Sequence, residues 1–200
     1  MTTRSADNRT PPELPSARFG EADPAASPSL PPGATSRQTD CGDFGIHISR
    51  DGTWWYRGSP IGRLALAKLF ASVLRRAPDG TYWLVTPAER GRITVEDAPF
   101  TAVELTVAGT GKEQTLIFRT NLDDSVSAGE NHPLRVTANG VTGEPNPYIV
   151  VRDGLEARLT RAVFYQLVDL GREERVGDKT LYGVWSNRIF FPLGDLQNGG

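Results

Sequence analysis

The sequence predicts an α+β fold: two small subdomains of antiparallel sheet, each with one main helix, preceded by a disordered tail. Three observations carry this. Seven of the fifteen prolines fall in residues 1–40, where Phe19 is the sole aromatic. Beyond that point short alternating apolar runs recur between Asp-Gly and similar turn signals, the pattern of half-buried strands. Only the stretches after Pro60 and after Thr160 hold helical spacing.

Residues 1–41 read as the tail. Pro11-Pro12, Pro15, Pro24, Pro28 and Pro31-Pro32-Gly33 sit among Ser, Thr, Ala and Asp. Such a segment buries too little apolar surface to offset the entropy of ordering it. Pro12-Glu13-Leu14-Pro15 has the spacing of a polyproline ligand, a pattern that proline-rich stretches also reach by chance.

Residues 42–99 read as the first subdomain. Ile46-His47-Ile48 alternates as a strand does, Asp51-Gly52 is a hairpin turn, and Trp54-Trp55-Tyr56 supplies strand-forming aromatics. Gly58-Ser59-Pro60 opens a helix that runs to Arg76, with Ser59 as its cap. Leu66, Leu69, Phe70, Val73 and Leu74 make its apolar face, and Arg75 and Arg76 suit the negative end of its dipole. Pro78-Asp79-Gly80 turns the chain into a strand over 82–86, and Ile93-Thr94-Val95 follows.

Residues 100–200 read as a strand-rich second subdomain. Strands are expected over 103–107, 115–118, 134–137, 148–151 and 155–159, with Asp153-Gly154 turning the last pair. Thr160 caps a short helix from Arg161 to Leu170 that ends at Gly171, with Val163, Phe164, Leu167 and Val168 as its apolar face. Two strands over 180–185 and 189–191 finish the chain. Arg50-Asp51-Gly52 and Arg152-Asp153-Gly154 echo one another; the echo fits a duplicated unit, but Arg-Asp-Gly is a common turn sequence, and the split into two subdomains near residue 100 is the firmer expectation.

Charge and cysteine content exclude several classes. Lys and Arg total 22 against 24 Asp and Glu, for a net charge of -2. The signs interleave, as in Arg172-Glu173-Glu174-Arg175, so the concentrated positive stripe that nucleic acid needs is absent and no nucleic-acid partner is expected. Cys41 is the only cysteine, which rules out an internal disulfide and gives zinc too few ligands. The first residues carry no secretory apolar run, and the apolar stretch over 64–74 is too short to span a bilayer. A cytoplasmic protein with no membrane partner is expected.

Apparent motifs fail on their geometry. Gly109-Thr110-Gly111-Lys112 resembles the end of a phosphate loop, but Thr106 and Glu113 stand where Gly and Ser or Thr are required. It also joins two strands, with no helix terminus to receive phosphate, and reads as a hairpin turn. Gly58-Ser59-Pro60-Ile61-Gly62 lacks the residue that a nucleophile elbow places between its first Gly and the Ser. Trp54, Trp83 and Trp185 read as core. His47, between two strand isoleucines, reads as a surface residue. No metal cluster accompanies His132, and no cofactor is expected.

Polar groups concentrate between residues 96 and 135. Glu96 and Asp97 precede Pro99, Arg119 and Asn121 end a strand, and His132 and Arg135 begin the next. Converging Arg, Asn and His side chains suit an anionic or amide-bearing small ligand, because Arg offers a fixed fork of donors. A solvated loop with ordinary salt bridges has the same composition. Arg119, Asn121, His132, Arg135, Glu96 and Asp97 are the candidate ligand-binding residues.

Longer matches run through the body. Asp51-Gly52-Thr53-Trp54, Gly58-Ser59-Pro60-Ile61-Gly62-Arg63, Tyr82-Trp83-Leu84-Val85-Thr86-Pro87 and Val95-Glu96-Asp97-Ala98-Pro99-Phe100 come in order. Phe118-Arg119-Thr120-Asn121, His132-Pro133-Leu134-Arg135, Tyr148 with Val151-Arg152, Gly183-Val184-Trp185-Ser186 and Phe190-Phe191-Pro192-Leu193-Gly194 complete the set. Across residues 42–194 the chain resembles the bacterial domain-of-unknown-function family 1285. It departs at Asn187-Arg188, where small residues such as Gly are expected before the final aromatics. The resemblance implies a two-part α+β architecture and a small-ligand or signalling role; it brings no activity, cofactor or catalytic residue.

Three functional readings stand on the sequence. One is a non-enzymatic ligand-binding or regulatory module. Another is an enzyme with His132 and Glu96 or Asp97 as acid and base. The third is an adaptor whose tail recruits a protein partner.

Overall fold

The structure is a computed structural model, and it describes residues 38–195. The polyproline-like segment lies outside the described residues. β1 (Thr39–Ile48), β2 (Trp54–Tyr56), β3 (Ser59–Pro60), α1 (Leu64–Ser72), β4 (Leu74–Arg76), β5 (Tyr82–Val85) and β6 (Glu89–Val95) build the first half. β7 (Phe100–Ala108), a 3-10 turn over Gly111–Glu113, β8 (Thr115–Thr120), β9 (Ser125–Ser127), β10 (Leu134–Ala138), β11 (Pro145–Arg152) and β12 (Leu155–Leu159) follow. α2 (Arg161–Asp169) then leads into β13 (Arg172–Val176), β14 (Lys179–Ser186) and β15 (Ile189–Asp195).

Both six-stranded sheets are built the same way. The first has the order β3-β2-β1-β6-β5-β4, and the second, β10-β11-β12-β7-β8-β9, is the same order read from its other edge. Each joins two three-stranded antiparallel units along one parallel seam, β1 with β6 and β12 with β7. The expectation of purely antiparallel sheets is corrected at these seams. In each half the first unit runs outward and the second runs back inward, so the two innermost strands point the same way. The Arg-Asp-Gly echo does not mark this likeness: Asp51-Gly52 turns β1 into β2, whereas Asp153-Gly154 turns β11 into β12.

The first helix is shorter than the sequence suggests. Residues 60–76 divide into the end of β3, α1 and β4. Arg57 and Gly58, at φ 48 and 82, reverse the chain so that Ser59 pairs with Tyr56 and Pro60 with Trp55. Pro60 is tolerated there because β3 is an edge strand, with no further neighbour to receive an N–H. Ser59 is therefore no helix cap; the cap position is Arg63, which makes no side-chain capping bond. At the other end Leu74, fully buried, pairs with Leu84, and sheet pairing outweighs helical spacing. Arg75 still reaches back to the carbonyl of Ser72 at 3.2 Å. β1 in turn takes Thr39–Cys41 from the predicted tail, with Asp40 opposite Arg90 in β6 and ion-paired to it at 2.9 Å.

The second helix forms as its sequence indicates. The Thr160 hydroxyl accepts the N–H of Val163, and the helix buries Val163 and Leu167. One buried cluster runs from Ile48 and Leu74 through Phe100, Phe118 and Ile149 to Val184 and Phe191. The order β13-β14-β15 makes a third, antiparallel sheet. Its last hairpin turns on Asn187 and Arg188, both left-handed at φ 48 and 65. Docking holds this strained turn: the N–H groups of Asn187 and Arg188 donate to the carbonyls of Gln114 and Lys112, and Arg188 pairs with Glu113 at 2.8 Å. That is how the departure at Asn187-Arg188 is accommodated.

Candidate functional site

The six candidate residues are placed by strand register, and register scatters them. Glu96 bonds the His47 Nε2 at 2.9 Å and accepts the N–H of Arg50 at 2.8 Å. Arg119, on β8, pairs with Glu104 on β7 at 2.6 Å and with Asp123 at 3.2 Å. Lys68 also binds Asp123, and it is the first cause holding that carboxyl below the usual carboxylate range. The Asn121 side chain is a staple between halves: it donates to the Gly52 carbonyl at 2.9 Å and accepts the N–H of Thr101 at 3.1 Å. The His132 Nδ1 lies 3.0 Å from the Val150 carbonyl, and the carboxylates of Glu96 and Asp97 are bonded to other groups.

Two of the six meet on one face of the second sheet. Arg135, Tyr148 and Arg158 stand opposite one another across β10, β11 and β12. Arg135 forks onto both oxygens of Glu156, at 2.5 and 2.7 Å, and lies 4.3 Å above the Tyr148 ring. The Tyr148 hydroxyl donates to Asp97 at 2.7 Å, and Arg158 pairs with the other Asp97 oxygen at 2.9 Å. Burial first, then the bond to Asp97, pushes the Tyr148 phenol up to about 12. Each donor here already has an acceptor, so the array reads as a satisfied network that ties residue 97 to the second sheet.

The Gly109–Lys112 segment is the β7–β8 connection, as expected. Lys112 pairs with Glu174 at 3.1 Å and lies 4.3 Å from the centre of the Trp185 ring. Trp54 is core, at 2 % exposure, stacked on Phe70 with ring centres 6.2 Å apart. Trp83 and Trp185 are half-buried. The buried indole N–H of Trp54 has no hydrogen-bond acceptor among the described residues.

A large concavity lies where no charged motif pointed. A groove of about 920 Å³ opens between α1 and the first sheet, walled by Ile46, Leu66, Phe70, Val73 and Leu84. Its origin is in the helix sequence Leu-Ala-Leu-Ala-Lys-Leu-Phe-Ala-Ser. The helix seats through Ala67 and Ala71, one turn apart and both buried, while Leu64 and Leu69 are 45 % and 61 % exposed. The expected apolar face of Leu66, Leu69, Phe70, Val73 and Leu74 is thus corrected: Leu74 is buried in β4, Leu69 faces solvent, and Leu66 and Phe70 line the groove. The missed signal was the pair of alanines four apart inside a helix that is apolar except for the stripe of Lys68 and Ser72. Such a helix closes against a sheet only at its small residues and leaves space beside them.

Further details shape the groove. The Phe44 ring lies over Gly91, where a Cβ would come within 2.5 Å of it. Arg57 and Arg63 line the groove with Asp43, which accepts the N–H of Gly45 at 2.6 Å. The exposed Cys41 thiol is also on its lining. A smaller cleft of about 540 Å³ lies by Arg50, Arg158, Thr160, Arg161 and Phe164. In it Arg158 is already held by Asp97 and Asn146. No helix among the described residues is long and apolar enough to cross a membrane.

Comparison with known proteins places these features in a family. Residues 31–98 match the N-terminal domain, and residues 99–193 the C-terminal domain, of the family of unknown function DUF1285. A crystal structure of a DUF1285 family protein from Silicibacter pomeroyi DSS-3 is 44% identical, with a TM-score of 0.74 over 86% of this chain and 91% of that one. A second, from Shewanella baltica OS155, is 29% identical, with a TM-score of 0.50 over 62% of this chain and 91% of that one. No curated protein matches.

Proposed function

The chain belongs to the DUF1285 family, and from the groove beside α1 we propose that it is a non-enzymatic small-ligand-binding module. The observation that carries the reading is the groove itself: about 920 Å³, walled by large apolar side chains, beneath a helix seated on two alanines. Ligand sites are concave, largely apolar, and of about 300–1,000 Å³. Leaving Leu66 and Tyr56 at 36% and 46% exposure around such a groove costs stability that a bound apolar body would restore. The polar residues first suspected in the sequence support the scaffold in this reading.

The test uses the neutral fluorophore N-phenyl-1-naphthylamine, which brightens in apolar surroundings. Saturable one-to-one binding is expected, and the Leu66→Trp variant, which fills the groove from the helix side, should weaken it at least tenfold while keeping the wild-type thermal midpoint. Absence of saturable binding, or equal binding by Leu66→Trp, overturns the reading.

A further inference from the structure

We infer that the ligand of this groove is an amphipathic anion, a free carboxylate with an alkyl or aryl body, held at its charged end by Arg57 and Arg63. The inference rests on the groove reading above and adds the ligand's charge and polarity.

The arginines among the described residues divide into those that hold a carboxylate and those that do not. Arg90, Arg119, Arg135, Arg152, Arg158 and Arg188 each hold a carboxylate within 3.2 Å. Arg57 and Arg63 are among those that do not: neither forms an ion pair with a described residue, and unlike the other unpaired arginines both line the apolar groove beside α1. A guanidinium is always charged and presents a planar fork of donors that fits a carboxylate. Two of them at an apolar wall form a site for a molecule with one anionic end.

The chain also fixes where Arg57 stands. Its backbone is left-handed at φ 48, and its N–H donates to the Gly45 carbonyl at 2.8 Å. The absence of a side chain at Gly45 lets the Arg57 stem lie against β1, its Cγ 3.2 Å from where a Cβ would be. The guanidinium sits 5.2 Å from the centre of the Tyr56 ring, which itself lines the groove. Arg63 directly precedes α1, one turn from Leu66 and Ala67. Opposing them is Asp43, whose carboxylate is already bound to the Gly45 N–H. The lining therefore carries two cations and one anion, and favours a monoanion over a cation.

Octanoate, 1-octanol and octylammonium share one apolar body and differ in charge, so displacement of the neutral fluorophore by each separates charge from apolar fit. Octanoate is expected to bind at least tenfold more tightly than octanol, and octylammonium more weakly than both. In the Arg57→Asn/Arg63→Gln double variant the octanoate advantage should vanish with octanol affinity unchanged; Asn is chosen because it tolerates the left-handed backbone. The Arg57→Lys/Arg63→Lys variant should retain part of the advantage, now more sensitive to salt. Equal affinities for octanoate and octanol, or tightest binding by octylammonium, overturn the inference and leave the groove reading intact. If the fluorophore itself does not bind the wild-type protein, the groove reading falls, and this inference with it.

Discussion

The two halves of the molecule share a sheet order and differ in what they leave open. In the second half the helix is firmly anchored and the polar array beside it is closed. α2 carries a side-chain cap and buries Val163 and Leu167, while Arg135, Tyr148, Arg158 and Asp97 close a network on the sheet. In the first half α1 has no side-chain cap and seats on alanines. Its Leu69 faces solvent, the Trp54 N–H is buried without an acceptor, and Arg57 and Arg63 lack carboxylates among the described residues. A helix anchored by large side chains serves as structure, whereas one anchored by small ones leaves room for something else.

The contrast is sharpest in core truncation. Leu167→Ala removes a fully buried side chain from α2 and should cost about 2–5 kcal/mol by denaturant unfolding. Leu69→Ala, in α1, should change stability by no more than about 0.5 kcal/mol. Comparable losses from the two would end the comparison. Capping gives the next effect: Thr160→Ala should cost about 1 kcal/mol, and Arg63→Ala, at the corresponding position of α1, almost nothing in the same assay.

Trp54→Phe tests the unmet demand in the first half. Losing ring volume destabilises and losing an orphan N–H stabilises, so the net change should stay within about 1 kcal/mol. A much larger loss would mean that the indole nitrogen has an acceptor, such as a bound water.

The smallest effect is confined to high pH. Burial and the bond to Asp97 push the folded Tyr148 phenol up to about 12 from its ordinary value of 10, so the folded state favours the protonated form. The stability this contributes is complete below pH 10 and is lost as pH rises from 10 through 12. Unfolding midpoints between pH 9 and 12 should therefore fall more steeply for the wild type than for Tyr148→Phe.

Much of the local structure was legible in the sequence. Asp51-Gly52 and Asp153-Gly154 do turn hairpins, and Thr160 does cap a helix, because these signals act over a few residues. What failed was long-range. The truncation of α1 depends on Leu74 meeting Leu84, and the parallel seams depend on strands far apart in the chain. The pairing of the candidate residues was hidden for a related reason. Arg135 and Glu156 look unrelated in sequence, and only the register of β10, β11 and β12 makes them a pair. A cluster of charges in sequence cannot be told from a set of cross-strand ion pairs until the register is known. The groove was hidden differently: two alanines read as helix formers, and only the packing shows the space beside them.

The parallel seams also set an order of events in time. The antiparallel pairs within each three-stranded unit are joined by short turns, so their ends meet with little loss of chain entropy. Pairing Ile48 with Val95, or Ala157 with Phe100, closes a far longer loop, and contacts so distant along the chain slow folding. Each half is therefore expected to refold by forming its hairpins early and zipping its seam late. Substitutions along β1 and β6 or β7 and β12 would then govern the refolding rate, and those at the hairpin tips would not.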